Sequence, residues 1–160
     1  MAMLGMCASV ALLLSYVETL FPPLFAAVPG IKIGLPNVAI IFLLYRFGVK
    51  EAAIVSFVRL IIVSMLFGNT MTLAYSVAGA VLSLLTMALL KRMNFLSTIG
   101  VSVAGGVSHN IGQILVAMVL LSTAEIGYYM IVLAVTGTIS GIFVGLCGAF
   151  LIKRLPDKKI

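Results

Sequence analysis

Acidic side chains are the scarcest chemistry in this chain: Glu18, Glu51, Glu125 and Asp157 are the only four among 160 residues, and they are scattered. Enzymes that hold Mg²⁺ and diphosphate do so with clustered carboxylates, so no such site is expected. The sequence also lacks a GxxxxGK[ST] phosphate loop and cannot by itself power transport. Its one histidine, His109, has no Ser, Cys or carboxylate partner at a recognisable spacing, which argues against hydrolysis. Two distant cysteines, Cys7 and Cys147, make neither a disulfide framework nor a metal motif. No enzyme activity, metal or cofactor is therefore expected. Without a long-period repeat, a low-complexity tract or a soluble extension, residues 1–160 read as one domain.

Apolar surface is what the chain has in excess. Hydrophobic residues make up 63% of it and charged residues 9%, and the mean hydropathy is +1.31, far outside the range of a soluble globular domain. A spanning helix needs about 20 apolar residues. The chain divides into six apolar segments, approximately 2–21, 36–47, 49–67, 70–90, 97–122 and 127–152. The expected fold is all-α, a multi-pass bundle of six transmembrane helices. The second segment is short for a full crossing and would be tilted, extended by a partly buried loop, or re-entrant. The first reads as a spanning helix rather than a signal peptide, because it lacks a basic n-region and a small-residue cleavage site.

Positive charge sets the orientation. Arg46 and Lys50, Lys91 and Arg92, and Lys153, Arg154, Lys158 and Lys159 lie at alternate connections. All eight fall on one side if both termini are cytoplasmic, as the positive-inside rule requires. The opposite connections carry only Lys32 and Glu125. Topology and attraction to anionic lipid headgroups, about 1 kcal/mol per residue, account for the net charge of +6 without nucleic acid as a partner.

Three ionisable residues interrupt the apolar segments: Glu18, Arg59 and His109. A charge at the middle of a bilayer costs about 2.5–3.5 kcal/mol on insertion scales, so such groups face a bundle interior or a wet cavity. Arg59 is roughly 15 Å along its segment, too deep to reach the interface comfortably. His109, Asn110 and Gln113 share one helical turn, with His109 and Gln113 on one face. Together they suit a polar ligand. The structural alternatives are an ion pair between Arg59 and Glu18, and a hydrogen-bond cluster satisfied by Ser76, Ser83 or Thr86. The loop Pro29-Gly30-Ile31-Lys32-Ile33-Gly34-Leu35-Pro36-Asn37 is rigid and tightly turning. It reads either as a lid, with Lys32 meeting an anionic group and Asn37 capping the next helix or touching ligand, or as a purely structural loop.

Small residues recur every four positions at Gly137, Gly141, Gly145 and Ala149 and at Gly100, Ala104, Ser108 and Gly112. Such stripes let helix backbones approach closely in lipid. They serve packing within the bundle, or one of them docks a partner membrane protein.

The stretch Gly30 to Asn37, the Arg59 helix, Phe67-Gly68, Ala78-Gly79 with Ser83, Gly100-Val101-Ser102 and His109-Asn110-Ile111-Gly112-Gln113 together resemble the Gx transporter family, also filed as heptaprenyl diphosphate synthase component I. The resemblance covers nearly the whole chain. That family is similar in size and helix number to the substrate-binding S components of energy-coupling factor transporters, bacterial importers energised by a separate membrane coupling protein and ATPase subunits. The resemblance implies a site on the outer half of the bundle, under the loop between the first two helices. It also implies a small-residue docking face on the first helix, here Gly5 with Ser9 or Cys7 with Ala11. The expected function is capture of a small vitamin, cofactor or isoprenoid-related molecule in a bacterial cytoplasmic membrane, with Glu18, Lys32, Asn37, Arg59, His109, Asn110 and Gln113 as binding residues. A second reading is a non-catalytic accessory subunit of a quinone or isoprenoid biosynthetic assembly, or of a flavin-linked electron-transfer assembly.

Overall fold

The computed structural model describes residues 2–20, 34–67, 70–122 and 127–155. Among them are six α-helices: α1 (Ala2–Leu20), α2 (Asn37–Arg46), α3 (Val49–Phe67), α4 (Thr70–Met93), α5 (Thr98–Leu121) and α6 (Tyr129–Arg154). Local chemistry sets several of their ends. Gly34, at φ 77°, turns the chain into α2, and the buried Pro36 precedes its first residue with φ already helical. Gly48, at φ 130°, makes the tight turn into α3 that a side chain would strain. Ser97 caps α5, its hydroxyl accepting from the Gly100 N–H at 3.2 Å. Asn94 and Ser122 end α4 and α5 in the left-handed region.

α2 is the hub of the bundle. Its residues Ala39 through Leu44 are all buried, with Leu43 and Leu44 fully so. A helix that is apolar all round belongs inside, and α2 packs against α1, α3 and α6. At 10 residues it is roughly 15 Å long, half of a hydrocarbon core about 30 Å thick. Enclosed by longer helices, α2 has its polar backbone shielded by protein rather than by its own length.

The other helices turn apolar residues outward. Leu85, Val119, Ile131, Ile139 and Phe150 are each more than half exposed, a surface that only an apolar surrounding accommodates. Among the described residues four helices are long and apolar enough to cross a membrane: Met3–Leu20, Leu73–Met93, Thr98–Leu120 and Tyr129–Arg154. The chain is a multi-pass helical membrane protein.

α5 has the most intimate neighbours, α4 on one side and α6 on the other. A Cβ on Gly106 would stand 2.6 Å from the Gly137 oxygen, and one on Gly112 would stand 2.8 Å from the Ala78 oxygen. Gly141 and Gly145 likewise abut the α5 backbone at Val103 and Ile99. The α6 stripe is therefore an intramolecular seam. On α5 the seam runs through Ile99, Ser102, Val103 and Gly106, and of the two glycines in its four-residue stripe Gly112 meets a neighbouring backbone, on the α4 side, while Gly100 meets the Leu96 side chain.

The two small-residue pairs on α1 separate. Gly5 and Ser9 are exposed, and nothing lies within 4 Å of where a Gly5 Cβ would be. Cys7 and Ala11 are buried in the core shared with α2 and α3 and offer no free face to a partner. Their small size serves close packing inside the chain.

Candidate functional site

The basic end and the polar half of the bundle lie at opposite ends of α2. At its C-terminus, Arg46 donates to the carbonyls of Ile152 and Leu155 at the end of α6. Lys91 donates to the Leu44 carbonyl at 2.6 Å and sits 5.1 Å from the Tyr45 ring centre. These cations satisfy carbonyls that a helix terminus leaves without partners and complement its dipole.

Beyond the N-terminus of α2 is a cavity of about 110 Å³. Gly34 and Asn37 bound it at α2, the last turns of α1 contribute Ser15, Glu18 and Thr19, and α3 contributes Arg59 and Ser64. From α5 come His109, Asn110 and Gln113, with Ser76 of α4 and Ser140 of α6 alongside. Six of the seven residues expected from sequence thus line one cavity. The seventh, Lys32, lies outside the described residues.

Four of these side chains, Glu18, Ser15, Arg59 and Asn110, are held by identifiable contacts. Glu18 is buried, at 9% exposure, and accepts a hydrogen bond from the Gly34 N–H, which ties the end of α1 to the turn before α2. Ser15 donates to the Ala11 carbonyl at 2.8 Å, and its oxygen accepts from Arg59 Nη1 at 3.4 Å. Arg59 also lies in the field of the Glu18 carboxylate. Its Nε is buried and makes no hydrogen bond among the described residues, so the guanidinium retains donor capacity in a place where an unmet donor costs about 1–3 kcal/mol. Asn110 Nδ2 donates to the Leu133 carbonyl of α6 at 2.6 Å, leaving its Oδ1 as the amide atom with acceptor capacity.

Close helix contacts position the polar turn of α5. A Cβ on Gly137 would stand 2.7 Å from Asn110 Nδ2, and one on Gly79 would stand 2.8 Å from the His109 oxygen and 3.0 Å from Gln113 Cγ. Glycine at 79 and 137 is what lets α4 and α6 clamp this turn.

One sequence expectation is corrected in detail. Asn37 is the first helical residue rather than the cap; Pro36 occupies the cap position, with no side-chain capping bond, and the Asn37 N–H is met by the Gly34 carbonyl at 2.9 Å. Of the hydroxyls named as alternatives for the α5 turn, Ser76 lines the cavity beside His109 and Gln113, Thr86 bonds to Leu82 of its own helix at 2.9 Å, and Asn110 bonds to a backbone carbonyl. Sequence reasoning missed Ser15, Thr19, Ser64 and Ser140. Ser15 stands one turn before Glu18, and Ser140 interrupts the glycine stripe of α6, so their neighbours were the available signal.

Residues 7–151 match the family model described as heptaprenyl diphosphate synthase component I. The chain belongs to the heptaprenyl diphosphate synthase component I family. The match takes in every described residue lining the cavity. No curated protein and no solved structure matches the chain.

Proposed function

We propose that the protein is a non-enzymatic substrate-capture subunit of an energy-coupling-factor-type importer, residing with both termini inside in a bacterial cytoplasmic membrane. The observation that carries this reading is the cavity beyond α2, with a buried guanidinium of unfilled donor capacity opposite an amide, an imidazole and several hydroxyls. The lining is mostly polar, with Leu60, Val63 and Phe67 as its apolar part, and converging polar groups are what fix a small molecule's orientation in a site. Arg59 is the partner for an anionic group, with Lys32 as a second positive charge. Asn37, His109, Asn110 and Gln113 supply directional hydrogen bonds, and Glu18 orients the turn before α2. The ligand class is a small vitamin, cofactor or isoprenoid-related molecule. Uptake then requires a membrane coupling protein and ATPase subunits, because the chain has no phosphate loop of its own.

The family's description favours a second reading, an accessory subunit of an isoprenoid-linked assembly. Catalysis of prenyl transfer by this chain is disfavoured by its four scattered carboxylates; among the described residues no three His, Cys, Asp or Glu side chains come together. Native mass spectrometry of the protein purified in mild detergent from its own host separates the readings. Release of a stoichiometric small molecule, lost in Arg59→Met, supports capture. An empty protein that travels only with other subunits overturns it.

A further inference from the structure

A second concavity, unrelated to the polar cavity, runs along the outside of the bundle at its basic end. One wall is a stripe of α1, Met3, Met6, Val10 and Leu14, spaced by three and four residues and therefore on one face. Val38 and Phe42 of α2 form the floor, and Leu151 and Leu155 of α6 form the other wall. The groove measures about 210 Å³, and its lining exposes no polar surface.

Its length and its charge both point to one occupant. Met3 to Leu14 covers roughly 16 Å of helix, about half of a 30 Å hydrocarbon core and hence the depth of one leaflet. The groove begins where Leu155 lies, beside the exposed Arg154. Arg46 reaches the same spot, its guanidinium on the Leu155 carbonyl. Arg154, three residues from Leu151, flanks this end of an apolar channel one leaflet deep, with Lys153 exposed on the far side of α6. Methionines at the lip give an adaptable wall suited to a flexible chain; the small residues of the lining, Cys7 and Ala39, are buried and present little surface to the backbone of a partner helix.

We propose that this groove binds an anionic glycerophospholipid of the leaflet at the basic end, with one acyl chain between α1 and α6 and the phosphate beside Arg154, in the positive field that Lys153 adds at the same helix end. Basic pockets between helices on that side are suited to such headgroups. The site is independent of whatever the polar cavity holds.

The test uses delipidated protein in detergent, titrated with dioleoyl phosphatidylglycerol or dioleoyl phosphatidylcholine and read by native mass spectrometry. One phosphatidylglycerol is retained per protein in preference to phosphatidylcholine. Lys153→Gln with Arg154→Gln lowers phosphatidylglycerol affinity about tenfold and removes the preference. Val10→Trp, at a side chain 44% exposed, fills the groove and loses both lipids while its Tm holds; if that variant unfolds, Met6→Trp, at 59% exposed, makes the same test. Equal retention of the two lipids by the unaltered protein overturns the proposal. So does unchanged phosphatidylglycerol binding in the groove-filled variants, or a second copy of this chain held there instead of lipid.

Discussion

The two ends of α2 use polar side chains in opposite ways. At the C-terminal end, Arg46 and Lys91 are committed to helix-end carbonyls, and they close the bundle. At the N-terminal end, Arg59 makes a long contact to Ser15, lies in the field of the Glu18 carboxylate and lines the cavity; its Nε, like that of Arg46, has no hydrogen bond among the described residues. Cations at the first end bond helix-end carbonyls, whereas the cation at the second borders open space.

The largest effect expected is one that destroys both ends at once. Gly106→Leu drives a side chain into the Gly137 backbone, which cannot retreat as a flexible side chain can; the variant should elute as aggregate in detergent size exclusion. Leu43→Ala, in the fully buried hub, should lower stability by about 2–5 kcal/mol, read as a fall in Tm, with retention of any co-purified molecule per folded protein unchanged. A loss of binding larger than the loss of folded protein would mean that the hub and the cavity are not separable.

Arg46→Ala removes charge-assisted bonds to two carbonyls and should cost about 1.5–3 kcal/mol, again without touching the cavity. Arg59→Lys sharpens the contrast, because it keeps a positive charge beside Glu18 and should cost about 1 kcal/mol or less in stability, while loss of the guanidinium fork weakens retention of the bound small molecule in native mass spectrometry. If Arg59→Lys destabilises as much as Arg46→Ala, the guanidinium is structural and the distinction between the ends fails. The smallest effect is expected for Gln113→Ala, within about 0.5 kcal/mol in stability, with a several-fold weaker retention of the co-purified molecule.

Much of this arrangement was legible in advance. Six apolar segments gave six helices, with ends displaced by three residues or fewer. Glu18, Arg59 and the His109 turn stood out because charge and amides are expensive within apolar runs, and that expense holds whatever the packing. The role of the short segment was open, because length alone does not say whether a helix tilts or is enclosed. The docking pairs on α1 were equally ambiguous: two small-residue pairs on adjacent faces look alike in sequence, yet Cys7 and Ala11 are buried and Gly5 and Ser9 are exposed.

Composition and periodicity by themselves determined that the chain is a helical membrane protein, where its segments run, and which few polar residues need an interior. Those features follow from hydrocarbon's intolerance of unpaired polar groups, which acts on each segment separately. Only the tertiary structure decided that six of those polar residues meet in one cavity, that Asn110 is held by Leu133, and that Arg59 faces it from another helix. Such meetings depend on how far each helix is rotated and how closely glycines let α4, α5 and α6 approach, and a rotation shared among helices is a property of the packed bundle rather than of any one segment.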